Sequence, residues 1–151
     1  MEYLDPDTNE KYTPTVIEYS IGADRLTLAL LCEGYEKESL PDGTEREVMH
    51  LAPFLAPYKV AVLPLIKKNH SEKAMEVFNM ISKYFMATYD ETANIGKRYR
   101  REDAIGTPFC VTVDDETIND GTVTVRDRDT MEQVKIKLDE LVDYVNERIK
   151  M

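Results

Sequence analysis

The stretch YKVAVLPL, Tyr58–Leu65, decides the architecture. From Val60 to Leu65 it offers no polar residue, so a strand built from it has no solvent face and is buried on both sides. Pro64 has no amide hydrogen to give a neighbouring strand and ends the run. A strand of this kind needs helices above and below it. The residues that follow supply them. Ala74, Val77, Phe78, Ile81 and Phe85 recur at helical spacing, with Ser71 placed to cap the helix. TYDET, from Thr88, reads as a brief strand and turn, and NIGKRYRREDAIG, from Asn94, as a short helix between glycines. TPFCVTV, from Thr107, is a second fully apolar strand. A turn at Asn119-Asp120-Gly121 leads into an alternating strand through Thr124, Arg126 and Arg128, followed by EQVKIKL. Leu138, Leu141, Val142, Val145 and Ile149 form the stripe of a closing helix. The expected fold is an α/β domain, a mixed β-sheet flanked by helices.

Upstream, EGYEKESLPDGTEREVMHLAPFLAP, Glu33 to Pro57, is charged and punctuated by Pro and Gly, and it reads as a loop crossing between two structural units. The boundary is expected near Ala56 and Pro57, giving units of 1–56 and 57–151. Charge divides at the same place. Residues 1–57 hold 4 Lys+Arg against 12 Asp+Glu, a balance of −8, and residues 58–151 hold 15 against 17, a balance of −2. The overall −10 therefore belongs mostly to the first unit, and it does not exclude nucleic acid as a partner of the second.

With 151 residues, 42% of them hydrophobic, the chain can bury one sizeable core. It has no apolar run of membrane-spanning length and no secretory leader pattern, so a soluble, cytoplasmic protein with no membrane partner is expected. Cys32 and Cys110 lie in apolar runs without a CxxC spacing and read as reduced core thiols. His50 and His70 stand alone, without metal-ligand spacing, and read as surface residues; no metal site is expected.

The segment VIEYSIGADRLTLALL, Val16–Leu31, reads as a strand, a glycine and a helix. Alternation would place Glu18 and Ser20 on one strand face. Arg25 would lie in the first turn of the helix, beside free backbone amides and the positive end of its dipole. Such an arrangement suits a polyphosphate tail, with a carboxylate and a hydroxyl nearby for a small ammonium-bearing substrate. The same residues also fit a plain strand with two solvent-facing polar side chains and a surface arginine paired to Asp24 or Glu33. Further on, Lys97, Arg100 and Arg101 fall within one arc of a helix with Arg98 at its edge, while Ile95 and Tyr99 face the other way. Arg126 and Arg128 share a strand face opposite Val123 and Val125. Arginine forks suit bases and phosphates of unstacked nucleotides, and Asp127 and Asp129 suit exocyclic amines. An exposed ladder of alternating charge and a solvated helix with i,i+4 pairs account for the same pattern.

YTPTVIEYSIGADRLTLALL resembles motif 3 of the class II aminoacyl-tRNA synthetases, most of all their glycyl-tRNA members. LAPYKVAVLPL, YDETANIGKRYRREDAIGTPFCVTVD and GTVTVRDRDTMEQVKI resemble the C-terminal anticodon-binding domain of the same enzymes. The resemblance covers nearly the whole chain. It implies a strand-helix remnant of a catalytic domain followed by an anticodon-binding domain. It further implies that Arg25 is catalytic and holds the ATP phosphates, that Gly22, Ala23, Asp24 and Arg25 lie along the nucleotide, and that Glu18, Ser20 and Gly22 contact glycine. Lys97, Arg98, Arg100, Arg101, Arg126, Arg128 and Asp129 would then meet tRNA(Gly). ATP with Mg²⁺ is implied as substrate and counter-ion, and a homodimer as the state of the full enzyme. Thr15 and Tyr19 depart from the family, which usually has His and Pro there. Motifs 1 and 2 are missing, so the chain is expected to be the C-terminal portion of a ligase and inactive alone. A non-catalytic, synthetase-derived module binding RNA or protein is the alternative.

Overall fold

A computed structural model describes residues 2–150. Tyr3–Leu4 (β1) and Lys11–Tyr12 (β2) form a small antiparallel ladder. After an extended stretch comes the helix Ala23–Gly34 (α1), which passes without a linker into Tyr35–Ser39 (β3), hydrogen-bonded antiparallel to Glu45–Met49 (β4). The sheet of the larger unit follows: Val60–Pro64 (β5), Lys67–Ile81 (α2), Ala87–Tyr89 (β6), Ile95–Ile105 (α3), Phe109–Val113 (β7), Asp115–Asp120 (α4), Thr122–Asp127 (β8), Gln133–Lys137 (β9) and Leu141–Arg148 (α5).

The strand order is β6-β5-β7-β8-β9. β5 is parallel to both β6 and β7, and β8 and β9 return antiparallel, which makes the expected mixed sheet. β5 is buried along its whole length, and alternation sends its side chains into two different cores. Val60 and Val62 join Val111, Val125, Ala74, Ile81, Leu141 and Val145 beneath α2 and α5, whereas Ala61 and Leu63 meet Cys110, Ile95 and Tyr99 beneath α3. Both helical stripes read from sequence lie where expected.

Several readings are corrected. Val16–Ile21 is not a strand: it pairs with nothing among the described residues, and Val16 and Tyr19 are 76% and 92% exposed. A strand is held by its neighbours, and without one the alternation of Glu18 and Ser20 defines no face. The stretch from Glu33 to Pro57 is not a mere loop but contains the β3–β4 hairpin, turning at Asp42 and at Gly43, whose φ is +79°. Its signal was PDG between two alternating segments. α2 starts at Lys67, with Ile66 as its N-cap; Ser71 is in its second turn and donates to Lys67 O. Asn119-Asp120-Gly121 is the end of α4, capped by Gly121 in the left-handed region. His70 is fully buried: Nδ1 accepts from Ile66 N–H at 3.0 Å and Nε2 donates to Asp115 at 3.1 Å, tying α2 to α4. Cys110 is buried as expected, but Cys32 is exposed on α1.

Ile81 is fully buried against the sheet. Ile81→Ala should cost about 2–5 kcal/mol through lost burial and a cavity. Urea denaturation measures it, and an unchanged midpoint would show that α2 does not close this core.

Candidate nucleic-acid interface

α3 presents two unlike faces. Asn94 caps it by accepting from Lys97 N–H at 2.9 Å, and Gly106, at φ +84°, ends it. Gly106 also has a packing role: a Cβ there would meet Met49 O at 3.0 Å, so the end of β4 lies directly against the helix terminus. The outer face carries exposed Lys97 and Arg101 and half-buried Arg100. Lys97 and Arg100 form no ion pair among the described residues. Arg101 is bound to Asp90 and to Thr92, accepting oxygens at the end of β6. Burial would raise the Asp90 carboxyl, yet bonds from Thr92 and the Arg101 guanidinium outweigh it and hold the group below its ordinary value.

The inner face is polar and buried. All three guanidinium nitrogens of Arg98 donate to backbone carbonyls, reaching Glu91, Thr92, Ala93 and Pro64, so it stitches the loop before α3 to the end of β5. Asp103 is fully buried and takes both Arg126 forks, at 2.7 and 3.0 Å, with Arg46 Nη1 at 3.2 Å on the same carboxylate. The Arg126 guanidinium lies 4.8 Å from the Tyr99 ring centre. Burial alone would lower Arg126, but the bonds to Asp103 raise it above its ordinary value.

Arg126 and Arg128 were expected on an open strand face, and that expectation is corrected. The alternation itself is right: Arg126 pairs across the ladder with Cys110 and therefore shares the Cys110 face. That face is the one α3 covers. Arg126 is 5% exposed and Arg128 2%. Arg128 donates to Gly106 O at 2.9 Å, to Leu51 O at 2.8 Å and to both Asp129 oxygens at 2.8 Å. Asp129 is half-open, and although its burial raises it, Arg128 and His50 bring it below the ordinary carboxylate range. Arg98, like these two, holds the frame instead of facing outward.

The structure also assembles residues that sequence spacing left apart. His50 lies between carboxylates, with Nδ1 2.7 Å from Asp129, and Nε2 3.0 Å from Glu38 and 3.6 Å from Glu36. Glu36, Glu38 and His50 bring their ligand-type atoms within 4.8 Å of one another. Arg46 supports this cluster from inside, with Nε 2.5 Å from Glu38, and its bond is the main reason the Glu38 carboxyl lies below its ordinary value. The Arg46–Glu38 ion pair and the His50 contact to Asp129 fasten the hairpin. Arg46 occupies an inward position of the alternating run EREVM beside Val48, and an inward arginine there is the one sequence signal of a buried ion pair.

Glu18, Ser20 and Arg25 are exposed and are not gathered into a pocket. α1 does begin at Ala23, and its cap Gly22 provides no side-chain bond, so the amides of the first turn stand open beside Arg25.

Two stability predictions follow from these contacts. Arg126→Met leaves Asp103 buried with a single partner and should cost about 3–5 kcal/mol in urea denaturation; a loss under about 1 kcal/mol would contradict a buried pair. Glu102 is buried and accepts from Thr107 Oγ1 at 2.7 Å, and its burial raises its pKa above 4.5. A carboxyl raised in the folded state favours folding below the unfolded pKa and loses that contribution as pH rises through the folded value. Glu102→Gln should therefore melt higher than wild type at pH 7, with the difference shrinking toward pH 4. A gap independent of pH would contradict this.

A family model described as an anticodon binding domain matches residues 59–148. The glycine–tRNA ligase of Clostridium tetani is 55% identical over 150 residues, which are 99% of this chain and 32% of that protein. The glycine–tRNA ligase of Geobacillus kaustophilus is 58% identical over 147 residues, 97% of this chain and 32% of that protein. The chain thus spans about a third of the length of these curated relatives. The solved RNA binding domain of threonyl-tRNA synthetase from Cryptosporidium parvum superposes with a TM-score of 0.60 at 26% identity, over 65% of this chain and 25% of that one. Because the matched residues enclose the five-stranded sheet, its helical layers and the cation-bearing α3, the chain belongs to the anticodon-binding domain family.

Proposed function

We propose that this chain is the C-terminal portion of a cytoplasmic glycine–tRNA ligase and that its 57–151 unit binds the anticodon region of tRNA(Gly). One observation carries the reading: in a unit matching an anticodon-binding domain, Lys97 and Arg100 stand on the outer face of α3 without ion-pair partners, next to Arg101. Cations outside any close ion pair on a nearly neutral unit suit phosphates, and Arg101, held in place by Asp90, suits a base edge. Asp129 is open enough to accept a hydrogen bond from a base amine. Arg98, Arg126 and Arg128 serve this face by fixing α3 on the sheet.

The 1–56 unit would add motif 3. Arg25 and the open amides of Gly22, Ala23, Asp24 and Arg25 would hold ATP phosphates, and Glu18, Ser20 and Gly22 would line the glycine pocket. The segment suits that role because it is fitted for company it does not have here. Val16, Ile17, Tyr19, Ile21, Leu26 and Leu28 are all exposed, a run of apolar surface that the other two-thirds of a ligase would cover. ATP enters as substrate, with Mg²⁺ neutralising its phosphates, and glycyl transfer to tRNA would require the complete, homodimeric enzyme.

The test is a titration of the chain with an RNA stem–loop bearing the glycine anticodon and with one bearing a different anticodon. Lys97→Ala should weaken both and reduce the salt slope of binding by about one ion. Arg101→Ala should cost ~1–3 kcal/mol with the cognate loop and less with the other. Wild-type affinity equal for both loops would favour the alternative, a synthetase-derived module that reads no anticodon.

A further inference from the structure

The β3–β4 hairpin lies outside the residues matched by the family model, yet it is fastened to that unit at both ends. At one end Arg46, 2% exposed, reaches across three elements. It meets Glu38 on its own hairpin, Asp103 on α3, and the carbonyls of Arg128 at 2.9 Å and Asp129 at 3.4 Å beyond β8. At the other end the backbone of Met49 lies against Gly106, and Leu51 O accepts from Arg128. The opposite side of the hairpin is joined to α1 with no intervening residue, since Gly34 ends the helix and Tyr35 begins the strand. His50 N–H donates to Gly34 O at 2.6 Å, and a Cβ on Gly34 would meet the His50 carbonyl at 3.4 Å. α1 and α3 are therefore connected through a hairpin with no flexible linker in it.

We infer that Arg46 is a positioning residue that makes the hairpin and the RNA-facing helix one body, so that RNA bound to α3 is felt along the hairpin up to the end of α1. This rests on the reading of α3 as the RNA face. Asp103 lies on the turn of α3 that follows Lys97 and Arg100, and its carboxylate is shared between Arg126 of the sheet and Arg46 of the hairpin. Ordering the outer face of α3 orders Asp103, and Arg46 carries that order out of the sheet unit. The coupling needs no movement of the helix. It needs the hairpin to open less often when α3 is held.

Hydrogen exchange read by mass spectrometry tests this on the chain as it stands, with the cognate anticodon stem–loop as the probe. In wild type, saturating RNA should slow exchange in peptides covering residues 35–49 on the order of threefold or more. Arg46→Met leaves the bidentate Asp103–Arg126 pair intact. It should change RNA affinity by no more than about twofold and abolish the RNA-dependent slowing in the hairpin, while slowing within α3 persists. Arg46→Lys, whose single ammonium nitrogen cannot span the positions reached by the three guanidinium nitrogens, should restore part of it. Hairpin exchange indifferent to bound RNA in wild type overturns the inference without any variant. So does slowing that survives in Arg46→Met. Failure of wild type to bind the stem–loop overturns the RNA reading itself, and the inference falls with it.

Discussion

The Asp103 carboxylate, fully buried and shared by two guanidinium groups, is the constraint on which the arrangement of this molecule depends. A lone carboxylate at that depth would be unaffordable, so its position is tenable only beside a guanidinium, and here two arrive. Arg126 comes from the sheet and Arg46 from the hairpin, and each is itself buried. The site therefore specifies three elements at once. Apolar residues of similar volume could pack as tightly, and a buried ion pair is a weak source of stability. What it adds is direction: a guanidinium fork fits a carboxylate in few orientations, whereas leucines tolerate many.

This requirement explains why the two faces of the sheet differ. Beneath α2 and α5 lies a large apolar cluster of valines, alanine, isoleucine, leucine and phenylalanine, and the one fully buried polar side chain of α2 among the described residues, His70, is satisfied by Ile66 N–H and Asp115. Beneath α3 the apolar cluster is small, Ala61, Leu63 and Cys110 with Ile95 and Tyr99, and the remaining area is filled by arginines and their acceptors. Arg98 binds carbonyls, Arg126 binds Asp103, Arg128 binds carbonyls and Asp129, and Tyr99 OH lies 2.6 Å from Thr112 Oγ1. No buried side-chain nitrogen or oxygen among the described residues lacks a partner. A helix held by directional bonds on a thin apolar base has a defined pose. The role proposed for α3 needs one, because a base contact is lost when its donor moves by an ångström.

Much of the fold was legible because the two-sided burial of YKVAVLPL and FCVTV leaves few alternatives to a helix-covered sheet, and the stripes of α2 and α5 have helical period. The site was less legible for a specific reason. Alternation correctly put Arg126 on the face opposite Val123 and Val125, but it cannot say which face a helix covers, and the charge of arginine suggested the open one. The covering helix is fixed by a contact across the chain, Arg126 with Asp103, and local pattern does not contain it. The hairpin was missed by a similar route: Arg46 occupied the inward place of an alternating strand, and a charged residue there breaks the apolar pattern by which strands are recognised. His70 reads as polar and sits near a helix start, but its burial depends on Asp115, 45 positions away.

The stretch from Val16 to Ile21 shows the converse. Its sequence has every local mark of a strand, and it remains irregular and unpaired because a strand's hydrogen bonds and one of its faces belong to its neighbours. α1, directly after it, is helical at once, since helix hydrogen bonds close within the segment. The same contrast separates the chain before β5 from the chain after it. The strands from β5 to β9 pair with one another in one sheet, whose β5 and β7 are buried along their whole length. The chain before β5 contains a helix and a hairpin that are complete and an apolar strand sequence that is not, and its hairpin is anchored on α3 and beyond β8 through Arg46. The two ends of this segment therefore differ: the hairpin is held by Asp103 and the carbonyls beyond β8, whereas the apolar side chains from Val16 to Ile21 have no cover among the described residues.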